Sequence, residues 1–257
     1  MLKGLIALLA CTLTVACGGG ETGGCKQAAC GVTPSPSTLT VFAASSLQPA
    51  FDKIARQLQA QQNITTTFNY AGSQTLTAQL AQGAQADVFA SADVMHMATV
   101  DSSGLISGSS HVFAHNRLEI AVERGNPKGI HSLADLARPG LVVVLADPSV
   151  PAGKYAQQAL ARGHVTVHPA SLEPQVTGVL SKVALGEADA GIVYVSDIAT
   201  SGQVDGISIP DGQNVIADYP IAVLKSASNP SGANAFLGFV LSAGGQAILK
   251  AAGFEGV

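Results

Sequence analysis

The chain is 257 residues long, carries a formal net charge of −4, and has 12% charged against 47% hydrophobic residues. It shows no basic patch, which excludes nucleic acid as a partner. With so weak an overall field, any bound anion must be captured by local groups and not by bulk charge.

The opening "MLKGLIALLACTLTVACGGG" places Lys3 ahead of an apolar run. That run is too short for a bilayer, which needs about 20 residues, and reads as a secretory signal over residues 1–16. No later segment is long and apolar enough to cross a membrane. The stretch "LTVAC" resembles the lipobox of bacterial lipoproteins and makes Cys17 the candidate for lipidation, although Thr14 stands where leucine is commonest. Such an anchor fixes a protein to the membrane without spanning it. Residues 17–38 are rich in Gly, Ser and Pro and read as a flexible tether. Cys25 and Cys30 lie in it, where an oxidising compartment permits a small disulfide loop. From residue 39 onward the chain has no cysteine.

From residue 39 strands and helices alternate. "LTVFAA" (39–44) is β-like, and residues 47–61 carry apolar positions at helical spacing. A strand is predicted over 63–70, a helix over 73–83 closed by Gly83, a strand over 87–92 and a helical turn or two after it. Strands follow over 117–125, 140–148, 189–197 and 219–226, with helices over 132–136, 152–163 and 173–188 and one or two closing helices over 232–253. The alternation predicts parallel sheets covered by helices on both faces. In such sheets ligands sit at the carboxyl ends of strands, near helix N-termini, and a cleft between two lobes is the natural site.

Five stretches in order, "VFAASSL", "YAGSQTLTAQL", "GAQADVFASAD", "DPSVPAGKYAQQAL" and "AGIVYVSDI", resemble the molybdate-binding components of ABC uptake systems. The resemblance runs over about residues 40–255. It implies an α/β, two-lobed periplasmic-binding-protein fold, with mixed, mostly parallel sheets and a hinge of crossover strands. Lobe 1 is expected over 39–115 and 220–257 and lobe 2 over 116–219, with the hinge near 115–117 and 218–220. It further implies a monomeric, non-enzymatic carrier without a cofactor, which presents molybdate or tungstate to a permease and its ATPase. Carried over by motif, the oxyanion ligands are the hydroxyls of Ser46, Ser73 and Tyr194 and the backbone N–H groups of Ala152 and Val176. The register of Val176, in "EPQVTG", rests on the least similar stretch. A subgroup of such proteins adds carboxylates around the metal. No residues here match them, so four-coordinate tetrahedral binding is expected.

The donor set makes chemical sense on its own. An oxyanion without protons only accepts hydrogen bonds, so its pocket should contain only donors. Protonated phosphate would set its proton against another donor, at a cost of about 1–3 kcal/mol when buried. The expected ligands are therefore fully deprotonated dianions, and the choice of molybdate over sulfate rests on the resemblance. Each residue also has a plain structural reading. Ser46 and Ser73 read as helix caps, Ser46 being expected to cap and ligate at once while Ser45 points away. Tyr194 reads as core, Asp87 and Asp93 as structural carboxylates, and the six scattered histidines as surface residues. A secreted hydrolase is the rival from another class. No G-x-S-x-G elbow occurs, and "GSSH" at 108–111 lacks a strand–turn–helix context. A regulator sharing the fold is excluded by the signal and by the missing DNA-binding segment.

Overall fold

The computed structural model describes residues 37–257; the expected signal, Cys17, Cys25 and Cys30 lie outside the described residues. Strand β1 (Ser37–Ala44) passes through a 3-10 turn, Ser45–Leu47, into α1 (Gln48–Gln62). β2 (Ile64–Ala71) leads to α2 (Ser73–Ala81), and β3 (Val88–Ala90) to α3 (Val94–Ser102). After the long β4 (His111–Glu123) come β5 (Val143–Ala146), α4 (Pro151–Arg162), β6 (Ser171–Glu173), α5 (Val176–Ala184), β7 (Ala190–Tyr194), α6 (Val195–Ser201) and β8 (Val204–Ser208). β9 (Ile216–Val223), α7 (Pro230–Leu241) and α8 (Ala243–Ala251) complete the chain.

The strands order as β2-β1-β3-β9-β4-β7-β5-β6, with β8 paired to β4. β1 is parallel to β2 and β3, and β5 to β6 and β7. Every antiparallel pairing involves β4 or β9, so the sheet is mixed, not mostly parallel. β4 joins the two halves. Its residues up to Arg117 pair with β9, and from Leu118 onward they pair with β7 and β8. β9 returns the chain beside it, with His115 opposite Asp218.

Side chains alternate across the first half as period two requires. Val41 and Ala43 of β1, Val88 and Ala90 of β3 and Ile221 of β9 face the main core under α1. Phe42, Phe89 and Ala222 face a second cluster with Leu76 and Met97 of α2 and α3. Helices thus cover both faces. Phe51 anchors the main core, with ring centroids 5.8 Å from Phe113 and 5.3 Å from Phe236. Such aromatic pairs each contribute about 0.5–1.5 kcal/mol beyond area burial.

The structure departs from the sequence expectations where local signals are short or ambiguous. β4 begins at His111 instead of 117, since its first half is partnered by segments distant in sequence, β9 and Glu255. The strand expected to run to 197 stops at Tyr194 because the Asp197 carboxylate accepts the Tyr194 N–H at 3.0 Å and starts α6. β6 has three residues and β8 is interrupted by Gly206, so neither gives a readable alternation. His96 is buried, not on the surface, and its ring meets Asp93 at 2.8 Å.

Candidate functional site

The five sequence-predicted residues converge. Ser46, Ser73, Ala152, Val176 and Tyr194 all line one cleft of about 200 Å³, which is small beside the 300–1,000 Å³ of drug-sized pockets. The topology explains the convergence. Ser46 follows the carboxyl end of β1, Ser73 that of β2, Ala152 that of β5 and Val176 that of β6, while Tyr194 ends β7. Ser73 and Val176 are the first residues of α2 and α5, and Ala152 is the second of α4. N–H groups of a first helical turn have no carbonyl of their own helix to bond, and the helix dipole adds about half a positive charge there. No charged side chain lines the cleft, and it holds no carboxylate. Among the described residues no group of three His, Cys, Asp or Glu is placed to hold a metal ion.

Each hydroxyl has a distinct environment. The Ser73 oxygen accepts the Ala92 N–H at 3.0 Å, leaving its proton free to donate. Ser46 is not the expected cap: neither the 3-10 turn nor α1 receives a side-chain cap bond. Its Oγ instead lies 3.0 Å from the phenol oxygen of Tyr219. The Tyr194 O–H is buried and has no hydrogen-bond partner in the protein. Burial first, then the neighbouring Tyr219 and Tyr155, raise its pKa well above the ordinary phenol range, so it stays a neutral donor. Ser45, expected to turn away, lines the same cleft.

The glycine in "VPAG" is more than turn chemistry. A Cβ on Gly153 would lie 2.1 Å from the Asp147 carbonyl oxygen and 2.4 Å from that of Ala146, so only glycine lets α4 start this close to the end of β5. Two further contacts bring the rims of the cleft together. Gln74 donates through Nε2 to the Pro174 carbonyl at 2.9 Å. A Cβ on Gly72 would stand 2.7 Å from that same carbonyl oxygen.

The supporting residues Tyr219, Ala92 and Asp197 carry no signal in the sequence. Tyr219 sits in an ordinary strand pattern and Ala92 acts through its backbone, so neither leaves a spacing signal. Asp87 and Asp93 have structural partners. Asp87 accepts from the Thr40 and Asn229 N–H groups, and Asp93 caps α3 by accepting the His96 N–H at 2.9 Å.

Comparison with known proteins bears on the family and the fold. Residues 39–255 match the family described as bacterial extracellular solute-binding protein. The molybdate-binding protein ModA of Mycobacterium tuberculosis H37Rv is 42% identical over 98% of this chain and 96% of its own length. The ModA of Escherichia coli K12 is 31% identical over 84% of this chain and 88% of its own. The periplasmic molybdate-binding protein of Azotobacter vinelandii superposes with a TM-score of 0.75 at 23% identity, covering 84% of this chain and 98% of its own, and so shares the fold.

Proposed function

The chain belongs to the bacterial extracellular solute-binding proteins and, among them, to the ModA molybdate-binding family, and from that premise we propose that it captures molybdate, and tungstate with it, outside the cytoplasm and delivers it to an ABC permease. The observation that supports this reading most is a small cleft that offers donors and no charged group, with the Tyr194 O–H buried there and unpartnered. A buried hydroxyl without a partner costs free energy, and an oxyanion supplies the missing acceptor. Ser46 and Ser73 give hydroxyls from one side, and Ala152 and Val176 give backbone N–H groups from the other. The anion is held as a tetrahedral species without added carboxylates.

Residues 39–115 with 220–257 and residues 116–219 act as lobes that close on the anion about the crossover of β4 and β9. The protein is a monomer that binds and releases its ligand without chemistry. Lipid on Cys17 holds it to the outer face of the cell membrane, beside the permease and its ATPase. A mature N-terminus read by mass spectrometry at another residue, without acyl groups, would remove the anchor.

Sulfate is the second reading, because it too is a fully deprotonated dianion and meets the same donors. Isothermal titration with molybdate, tungstate, sulfate and phosphate decides. Molybdate and tungstate should bind most tightly, and hydrogen phosphate most weakly. Sulfate binding above molybdate overturns the assignment, and phosphate binding above both overturns the donor-only account.

A further inference from the structure

We propose that Tyr219 is a positioning residue for the oxyanion: its O–H donates to Ser46 Oγ and so directs the Ser46 proton into the cleft. The proposal rests on the reading of the cleft given above.

The two hydroxyls are 3.0 Å apart, and Ser46 and Tyr219 are 3% and 0% exposed. A hydroxyl offers one proton and two lone pairs, so the shared bond runs in one of two directions. If Ser46 donates to Tyr219, it presents lone pairs to the cleft and repels an anion. If Tyr219 donates to Ser46, the serine proton is left for the ligand. The ligand selects the second direction, because a bound dianion favours every donor that points at it. The phenol proton then has Ser46 Oγ, 3.0 Å away, as its acceptor.

The Tyr219 ring is fixed. It meets Phe113, Tyr194 and Phe254 edge-on at centroid distances of 6.4, 5.7 and 5.3 Å. It therefore touches a cleft side chain from each half of the molecule, Ser46 through its hydroxyl and Tyr194 through its ring. It stands on β9, one residue from Asp218, where that strand lies against β4. The chain of donors runs from Tyr219 through Ser46 to the ligand, and such chains strengthen each member by polarisation.

The test is titration of Tyr219→Phe, Ser46→Ala and the double variant with molybdate and with hydrogen phosphate. Wild-type binding of molybdate checks the underlying reading independently. Tyr219→Phe keeps the ring contacts and should weaken molybdate by about tenfold. It also frees Ser46 to rotate and accept, so the preference for molybdate over hydrogen phosphate should shrink. Ser46→Ala should weaken molybdate without changing that preference. The double variant should bind like Ser46→Ala alone, because Tyr219 acts through that hydroxyl. Tyr219→Phe affinity within twofold of wild type, parallel loss of both anions, or additive losses in the double variant each overturn the proposal. 3-Fluorotyrosine at position 219 keeps every contact and donates more strongly, and it serves if the Phe variant does not fold. It should tighten molybdate by about twofold, and unchanged affinity overturns the proposal.

Discussion

The Ser73 oxygen accepts the Ala92 N–H at 3.0 Å, and this one bond joins the start of α2 to the chain just beyond β3. It ties the stability of the fold to the donor capacity of the site. Ser73→Ala should therefore do two things. Molybdate affinity should fall about 10- to 150-fold, the equivalent of one charge-assisted donor at roughly 1.5–3 kcal/mol. Stability should also fall, by about 1–3 kcal/mol, because the Ala92 N–H is left without an acceptor in a buried position. Calorimetric titration reads the first and urea unfolding the second. A stability loss with affinity intact would make Ser73 a structural hydroxyl only.

Tyr194→Phe should separate the two effects. Its O–H has no partner in the protein, so removing it costs the apo fold nothing. The melting temperature should stay level or rise while molybdate affinity drops about 10- to 150-fold. A lowered melting temperature with unchanged affinity would place Tyr194 in the core and outside the site.

What was legible in the sequence follows a physical division. Ser46, Ser73, Ala152 and Val176 stand where a strand hands over to a helix, and that boundary is written locally in turn residues and periodicity. Their convergence on one cleft follows from two parallel sets, β1–β3 and β5–β7, which run in opposite directions across β9 and β4, so that their carboxyl ends line the same cleft. The partners that tune these groups are distant in sequence: Tyr219 lies 173 residues from Ser46. Only the placement of β9 beside β3, next to β1, brings them together, and no local pattern encodes that. The role of Ser46 was misread for the same reason. A serine before a helix looks like a cap until a buried phenol is found competing for its oxygen.

Closure should depend on the rim contact between Gln74 and the Pro174 carbonyl, 2.9 Å apart across 100 residues of chain. If the two halves are lobes that close on the anion, small-angle scattering should show a smaller radius of gyration with molybdate than without it. Gln74→Ala should leave the association rate near wild type and raise the dissociation rate several-fold if the contact holds the closed form. An unchanged radius of gyration, with binding confirmed in the same sample, would remove the hinge.

The last expectation concerns pH. Burial raises the Asp197 carboxyl from 3.8 to about 7, against the opposing pull of the Tyr194 N–H that it accepts. Because the folded value lies above the unfolded one, its contribution to stability is complete below about pH 4 and is lost as pH rises through about 7. Stability should therefore decline across that window. Ligand affinity should follow the same group in the same direction. Asp197 acts electrostatically on both Tyr194 and Tyr219, so its ionisation places a buried negative charge beside a site for a dianion. Between pH 6 and 8.5 molybdate binding should weaken by about 3- to 10-fold, one pKa unit of coupling being worth about 1.4 kcal/mol. By linkage the bound anion must raise the Asp197 pKa further, so binding in this range takes up protons, which titration in buffers of different ionisation enthalpy detects. Asp197→Asn keeps an oxygen for the Tyr194 N–H and removes the charge. It should flatten both pH profiles and abolish the proton uptake. Profiles that keep their slope in Asp197→Asn would assign the pH dependence to another group.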